Sequence, residues 1–345
     1  MAAGDSGFFH ARFRPWCFPA KHFPAPRCRE WAGRVREADA TASLAALRAL
    51  LEQHAHKTAC AILEPSVQGA AGMRPQPPGF VREVKHTKFI SLLGTDFVDI
   101  DGVTILNGYA DGIDPDACHN VRIANCHIES RDDAIVPKTS FSLGEHRSTE
   151  NLSVTNCYLA TECCCFKLGT ESGGDFKYIA VSNCVMTGLP GRDSATAGIA
   201  LESVDGANVR GVAVSNCTMH RVDTPIFLRL GMRGRDQDTP TAGTLRDVCI
   251  DNIVADDAAV TCTMTGIPGH AIEGVTLSNL RLSFTHGGPF CAATTPVPEV
   301  IERYPDGDMF EELPAWGFYI RHVRDLRMTN VDLELAPGFV VETES

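Results

Sequence analysis

An alternation of apolar and polar residues recurs in the second part of the chain, and each copy ends in asparagine followed by cysteine or an apolar residue. The copy VRIANC begins at Val121, and close matches begin at Leu152, Ile179 and Val212. Looser copies continue the series to residue 331. The shared asparagines are Asn125, Asn156, Asn183, Asn216, Asn252, Asn279 and Asn330. They lie 27 to 36 residues apart, except for a last interval of 51.

This repeat predicts a parallel β-helix over residues 90–345, in which each copy is a strand with one face inward. Asparagine tolerates left-handed backbone geometry, so we expect it at a corner of each coil, where successive side chains can form a hydrogen-bonded ladder. The following cysteine is expected to point inward as a small apolar filler. A leucine-rich repeat also uses asparagine at this corner, but its leucine consensus is missing. The long last interval predicts a loop inserted over about residues 285–315.

The first 85 residues follow a different pattern. Four leucines between positions 44 and 51 fall on one helical face, and Thr41 or Ser43 can cap that helix. An apolar run over 59–64 predicts a strand, and a glycine- and proline-rich stretch over 69–80 predicts a loop. The sequence therefore predicts an all-β solenoid over 90–345, preceded by a short α/β segment over 1–85.

Composition narrows the function classes. The chain has 345 residues, with 31 Lys and Arg against 43 Asp and Glu, for a formal net charge of -12. Nucleic acids and anionic membrane surfaces need a basic face, so neither is an expected partner. We find no apolar run long enough to span a bilayer and no secretory signal. The chain as written would be cytoplasmic, but its localisation stays open. A monomer is expected.

The fourteen cysteines do not form a metal motif. There is no CxxC pair, and the run Cys163-Cys164-Cys165 would alternate between the two faces of a strand. Thiols on opposite faces cannot converge on one ion. The sequence therefore predicts buried apolar cysteines and neither a metal nor a cofactor.

Three aspartates are the candidate catalytic groups. Asp111 precedes the pair Asp132-Asp133 by about one coil of a β-helix, so stacking would bring their carboxyls together on the outer wall. Neighbouring carboxylates cannot all ionise cheaply, so one is expected to hold a proton with a raised pKa. Inverting glycoside hydrolysis requires such an acid together with a base for water. The alternative for Asp111 or Asp114 alone is a solvated turn.

These motifs resemble the polygalacturonase-like family of glycoside hydrolases, from about residue 90 to the end. The family phrase Asn-Thr-Asp-Gly is matched by the segment from Tyr109 to Gly112, and the phrase Gly-Asp-Asp by the segment from Arg131 to Asp133. The resemblance implies a right-handed parallel β-helix and a polysaccharide or oligosaccharide substrate, pectin-like or other. It implies Asp132 as general acid, with Asp111 and Asp133 positioning and deprotonating water.

Other phrases depart from that family. Its Gly-His-Gly phrase falls on the three cysteines from Cys163 to Cys165, and its Arg-Ile-Lys phrase falls near Glu202. Polygalacturonate is therefore not the expected substrate, while hydrolysis is retained. Charged residues in these and later segments are the candidate substrate ligands: Lys138, Lys167, Glu171, Glu202, Arg229 and Arg233. The alternative for Lys167 and Glu171 is a charged strand edge and turn, and for the two arginines it is ordinary surface charge.

The first 85 residues resemble an internal slice of class III pyridoxal-phosphate aminotransferases, especially the one of biotin synthesis. The phrase VQGAAGM from Val67 carries this resemblance. Neither the acid that pairs with the pyridine nitrogen nor the cofactor lysine has a match, so no transamination is expected. Three alternatives to hydrolysis stay open: an inactive or carbohydrate-binding truncated β-helix, a polysaccharide lyase and, supported by this slice alone, an aminotransferase.

Overall fold

The computed structural model describes residues 27–31, 34–39, 41–54, 67–68, 74–75, 90–285, 296–311 and 313–335. The chain divides into two compact units, Met1–Thr87 and Lys88–Ser345. In the described part of the chain, no helix has the length and apolarity that crossing a bilayer requires.

The first unit contains the predicted helix, α1 (Thr41–His54), in which Leu47 is buried. Two antiparallel pairs accompany it, β1 (Arg27–Trp31) with β2 (Arg34–Asp39) and β3 (Val67–Gln68) with β4 (Arg74–Pro75). The strand predicted over 59–64 lies outside the described residues, as does most of the loop predicted over 69–80.

The second unit is built from parallel strands of 2 to 15 residues. They are β5 (Ile90–Leu93), β6 (Asp96–Asp101), β7 (Thr104–Gly108), β8 (Ile113–Asp116), β9 (His119–Ala124), β10 (His127–Ser130), β11 (Thr149–Thr155), β12 (Tyr158–Thr161), β13 (Cys164–Leu168), β14 (Phe176–Ser182), β15 (Val185–Gly188), β16 (Ala195–Ser203), β17 (Asn208–His220), β18 (Val222–Leu230), β19 (Thr244–Ala258), β20 (Cys262–Thr265), β21 (Ile272–Phe284), β22 (Phe318–Arg321), β23 (Val323–Arg324) and β24 (Arg327–Leu335). A 3₁₀ turn over Phe141–Leu143 lies between β10 and β11.

The strands form three parallel ladders, as a parallel β-helix requires. The first ladder runs β6-β9-β11-β14 and on through the first halves of β17, β19 and β21 to β24. The second runs β7-β10-β12-β15 and continues through the second halves of the same long strands. The third links β5-β8, through single bridges at Ile135, to β13-β16-β18-β20-β22. The predicted fold class is confirmed, while its right-handedness stays a prediction.

The corner asparagines behave as the repeat predicts. All seven have positive φ, between 52° and 56°. Their amides form an interrupted ladder: Asn156 donates to Asn125, Asn216 to Asn183, Asn252 to Asn216 and Asn330 to Asn279, at 2.7 to 3.4 Å. The cysteine that follows four of these corners is buried in the apolar core, at Cys126, Cys157, Cys184 and Cys217.

A loop covers part of the third ladder from outside. Between β21 and β22, the described residues from 296 onward form neither helix nor strand. Met309, Phe310 and Leu313 from this loop pack in a small apolar cluster with Ala200 and Phe227, which are on β16 and β18. The outer surface of the third ladder is therefore buried on these two strands.

Candidate active site

Coil stacking brings the three candidate aspartates together. Asp111 lies just before β8, and Asp132 and Asp133 lie just after β10. One carboxylate oxygen of each lies within 4.8 Å of the others. The expectation that Asp111 meets the Asp132-Asp133 pair across one coil step is thus met in the geometry.

A glycine permits this close approach of the two coils. A Cβ on Gly112 would lie 2.5 Å from the carbonyl oxygen of Ala134 and 2.6 Å from Cγ2 of Ile128. Both distances are shorter than non-bonded atoms tolerate, so a larger residue would push the coils apart. The Gly112 N–H donates to the carbonyl oxygen of Asp133 at 2.9 Å, which fixes Asp111 beside its partners.

Two lysines hold two of the three carboxylates. Lys138 Nζ lies 2.9 Å from Asp111 Oδ2, and Lys167 Nζ lies 3.4 Å from Asp133 Oδ2. All four side chains are buried. Asp133 Oδ1 also accepts the Cys164 N–H at 3.1 Å. Buried ion pairs of this kind fix the carboxylate orientation, because breaking one leaves an uncompensated charge.

Asp132 has a different environment. Its side chain is exposed, and its carboxylate accepts the Asp133 N–H at 3.0 Å. Hydroxyl groups of Ser130 and Thr161 donate to its backbone carbonyl at 2.8 and 2.5 Å, so its main chain is anchored. Desolvation by the surrounding site raises the pKa of Asp132 although solvent reaches it, and the Asp133 and Asp111 carboxylates add to this rise. One acid of the cluster is therefore biased toward its protonated form.

A cavity of about 420 Å³ is linked to this cluster through Lys138, which contacts Asp111, although none of the three aspartates lines it. Lys138 and Glu171 line it, together with the Phe141 ring and the Arg235 side chain. Lys138 Nζ lies 3.5 Å from Glu171 Oε2 and 3.5 Å from Asp114 Oδ2, and Arg235 also pairs with Glu171. The predicted ligands Lys138 and Glu171 thus lie between Asp111 and an open hollow, where their charges are already paired.

Two of the predicted substrate ligands, Glu202 and Arg229, are completely enclosed. Glu202, on β16, has no exposed surface. Arg229, its register partner on β18, is also fully buried. Arg229 donates to the carbonyl oxygens of Glu299 and Val300 at 2.9 and 3.0 Å and to Thr265 Oγ1 at 3.1 Å. The loop between β21 and β22 covers this face, so in this structure both side chains are enclosed and Arg229 anchors the loop. Neither is positioned to contact a sugar.

Arg233, the remaining predicted ligand, borders the site. Its Nε and Nη2 form a bidentate pair with the two Asp205 oxygens at 3.0 and 2.6 Å, and Nη2 also donates to the Thr170 carbonyl at 3.0 Å. Its guanidinium carbon lies 5.6 Å from the centre of the Tyr304 ring. Arg233 is therefore oriented by Asp205 toward an aromatic residue at the rim.

Sequence reasoning missed two residues that the covering loop brings to the site. Tyr304 is half exposed, its hydroxyl lies 3.5 Å from Lys167 Nζ, and Lys167 sits over its ring at 5.5 Å. Burial raises the pKa of Asp306, and Asp308 adds to this shift. The 51-residue interval between Asn279 and Asn330 indicated the insertion but not the face on which it folds.

Sequence reasoning also misjudged the cysteine run. Cys163 lies in a bend before β13, so strand alternation begins only at Cys164. One ligand atom each from Asp133, Cys163 and Cys164 lies within 4.8 Å of the others. The argument that these thiols must face apart is wrong for this pair, because it assumed that all three cysteines are in the strand.

Comparisons with known proteins show similarity to two different kinds of enzyme. An 88-residue stretch is 40% identical to adenosylmethionine-8-amino-7-oxononanoate aminotransferase of Geobacter sulfurreducens, covering 25% of this chain and 19% of that enzyme. A 194-residue stretch is 23% identical to a probable polygalacturonase of Vitis vinifera, covering 53% of this chain and 39% of that protein. Both resemblances read from the sequence are thereby supported.

Among solved structures, the family 28 exopolygalacturonase of Yersinia enterocolitica is similar at a TM-score of 0.44 and 14% identity, over 71% of this chain and 42% of that one. No known family profile matches the chain. The chain spans less than half the length of the aminotransferase and of the probable polygalacturonase.

Proposed function

We propose that this protein is a polygalacturonase-like glycoside hydrolase that cleaves a pectin-like or other polysaccharide or oligosaccharide. The observation that carries the proposal is the meeting of the Asp111, Asp132 and Asp133 carboxylates within 4.8 Å, two of them paired with lysines. Similarity to a probable polygalacturonase supports the substrate class. The hollow beside Lys138 and Glu171 offers space for a neighbouring sugar ring.

The environments of the three carboxyls suit different tasks. Asp132 is exposed, with a raised pKa, so it is the group most ready to give a proton to the glycosidic oxygen. Asp111 and Asp133 are buried acceptors that can hold and deprotonate a water molecule. Two hydrogen bonds of about 2.8 Å at a tetrahedral angle place two acceptors about 4.5 Å apart, which fits the observed upper limit of 4.8 Å. Lys138 and Lys167 keep these two acceptors in position.

We further propose that the anomeric configuration inverts, since the site offers two water-binding carboxylates in addition to the acid. The carboxylate spacing itself does not support this step: inverting enzymes typically separate acid and base by about 6.5–9.5 Å, and retaining ones by about 5–5.5 Å. All three oxygens here are closer than either range. The stereochemistry of the first product therefore has to be measured directly.

The test is release of reducing ends from a panel of pectic and other glycans. We expect Asp132→Asn to lower kcat at least 100-fold with little change in KM, because general acid catalysis contributes about 10²- to 10⁴-fold. Asp99→Asn is the matched control, since Asp99 is an exposed aspartate on β6 that pairs with Arg122. Proton NMR of the first anomer formed distinguishes inversion from retention.

The outcomes separate the proposal from its alternatives. Equal rates for wild type and Asp132→Asn would contradict the proposed acid. Glycan binding by both proteins without hydrolysis by either would identify a binding module. Unsaturated products that absorb in the ultraviolet would identify a lyase instead.

A further inference from the structure

Asp133 has a second set of neighbours besides Lys167 and the other aspartates. The Cys163 and Cys164 thiols lie beside it, with one ligand atom of each of the three residues within 4.8 Å of the others. Both cysteines are free thiols. Cys164 and Asp133 are buried, while Cys163 is only partly buried, so solvent can reach the group from one side.

The backbone holds this group in place. The Cys163 N–H donates to Thr161 Oγ1 at 2.9 Å, and the Cys164 N–H donates to Asp133 Oδ1 at 3.1 Å. The bend at Cys163 is thus anchored to the preceding strand, and the start of β13 is anchored to the carboxylate. This arrangement puts two sequence-adjacent thiols on the same side, which a regular strand would not do.

We propose that Asp133, Cys163 and Cys164 form a binding site for a thiophilic divalent cation, with Zn²⁺ as the reference ion. Two thiolates and one carboxylate are a donor set that zinc accepts, leaving a fourth position for water. Zinc binds sulfur at about 2.3 Å, so tetrahedral ligand atoms lie about 3.7 Å apart. The three ligand atoms lie at most 4.8 Å apart in this structure, so side-chain movements of about 1 Å would bring them to the zinc geometry.

Charge balance favours the same assignment. Two thiolates and the Asp133 carboxylate together carry three negative charges. A divalent cation supplies two positive charges, and the Lys167 ammonium, 3.4 Å from Asp133, supplies the third. The thiols must lose their protons when the metal binds, so uptake releases protons. If the proposed function holds, zinc at this site inhibits hydrolysis, because it binds the Asp133 carboxylate that would otherwise bind the catalytic water.

The experiment is a zinc titration of the reduced full-length protein against a chromophoric chelator. Wild type is compared with Cys163→Ser, with Cys163→Ser/Cys164→Ser and with the control Cys249→Ser, which alters an exposed thiol on β19. We expect the double variant to bind one zinc ion fewer per chain, and Cys163→Ser to weaken that ion at least tenfold. Unchanged stoichiometry and affinity in both variants, or loss of the same ion in Cys249→Ser, would overturn the proposal.

Two further measurements keep the test decisive. Asp133→Asn leaves both thiols in place and is expected to weaken the same ion at least tenfold, so the site can be tested even if the double variant does not fold. If the protein hydrolyses glycans, we expect zinc to inhibit wild type and Cys249→Ser in a way that a chelator reverses, and to inhibit Cys163→Ser only at zinc concentrations at least tenfold higher. If no glycan is hydrolysed, the stoichiometry still decides the zinc site, and only the proposed function fails.

Discussion

Glu202 is a carboxyl group that the fold encloses completely. Neither of its oxygens has a hydrogen-bond partner among the described residues. Burial raises its pKa to about 8, although the Lys167 charge opposes the shift. A buried ionised carboxylate is costly, so the group keeps its proton in the folded state. Glu202 is therefore a neutral group in the interior of the third ladder and not a contact for a sugar.

This environment predicts how stability depends on pH. The folded pKa lies above the ordinary value of 4.5, so unfolding releases a proton, and the stability contribution present below about pH 4.5 is lost as pH rises toward 8. The full shift corresponds to at most about 5 kcal/mol. Urea unfolding at pH 5 and pH 8 should show that Glu202→Gln loses much less stability over this interval than wild type does. The exposed Glu334→Gln should follow wild type, and parallel pH profiles for Glu202→Gln and wild type would refute the assignment.

The corner ladder is the element that sets the coil geometry. Asn216 has φ of 55°, donates to Asn183 at 3.3 Å and accepts from Asn252 at 2.8 Å. We expect Asn216→Ala to destabilise the unit by about 1–2 kcal/mol, because alanine is strained in the left-handed region and lacks the amide. Asn216→Gly relieves the strain and loses only the hydrogen bonds, so its cost should be about half. Urea unfolding measures both variants, and an Asn216→Ala protein as stable as wild type would contradict this account.

The repeat could be recognised in the sequence because every corner of the β-helix needs the same kinds of residue. A left-handed residue, an inward cysteine or apolar residue and alternating apolar positions appear in each copy, so coil stacking and the meeting of Asp111 with Asp132 and Asp133 could be predicted. The burial of Glu202 and Arg229 could not, because it depends on where the 51-residue interval folds. The sequence also did not predict that the Cys163 and Cys164 thiols lie close together. A single bend before β13 changes the direction of the Cys163 side chain, and a repeat pattern contains no signal for one bend.

At the scale of the whole molecule, the net charge of -12 acts on any charged polymer that approaches the candidate active site. A free polyuronate is repelled over about 10 Å at 0.1 M salt, whereas a neutral or methyl-esterified chain is not. For the proposed hydrolase we therefore expect kcat/KM on de-esterified pectin to rise several-fold between about 0.01 and 0.3 M NaCl as screening takes effect. Methyl-esterified pectin of the same backbone is the matched control, and its kcat/KM should change little. A rate on the acidic polymer that falls with salt would instead reveal net attraction, and would mean that cations such as Arg233 and Arg235 outweigh the overall charge at the point of binding.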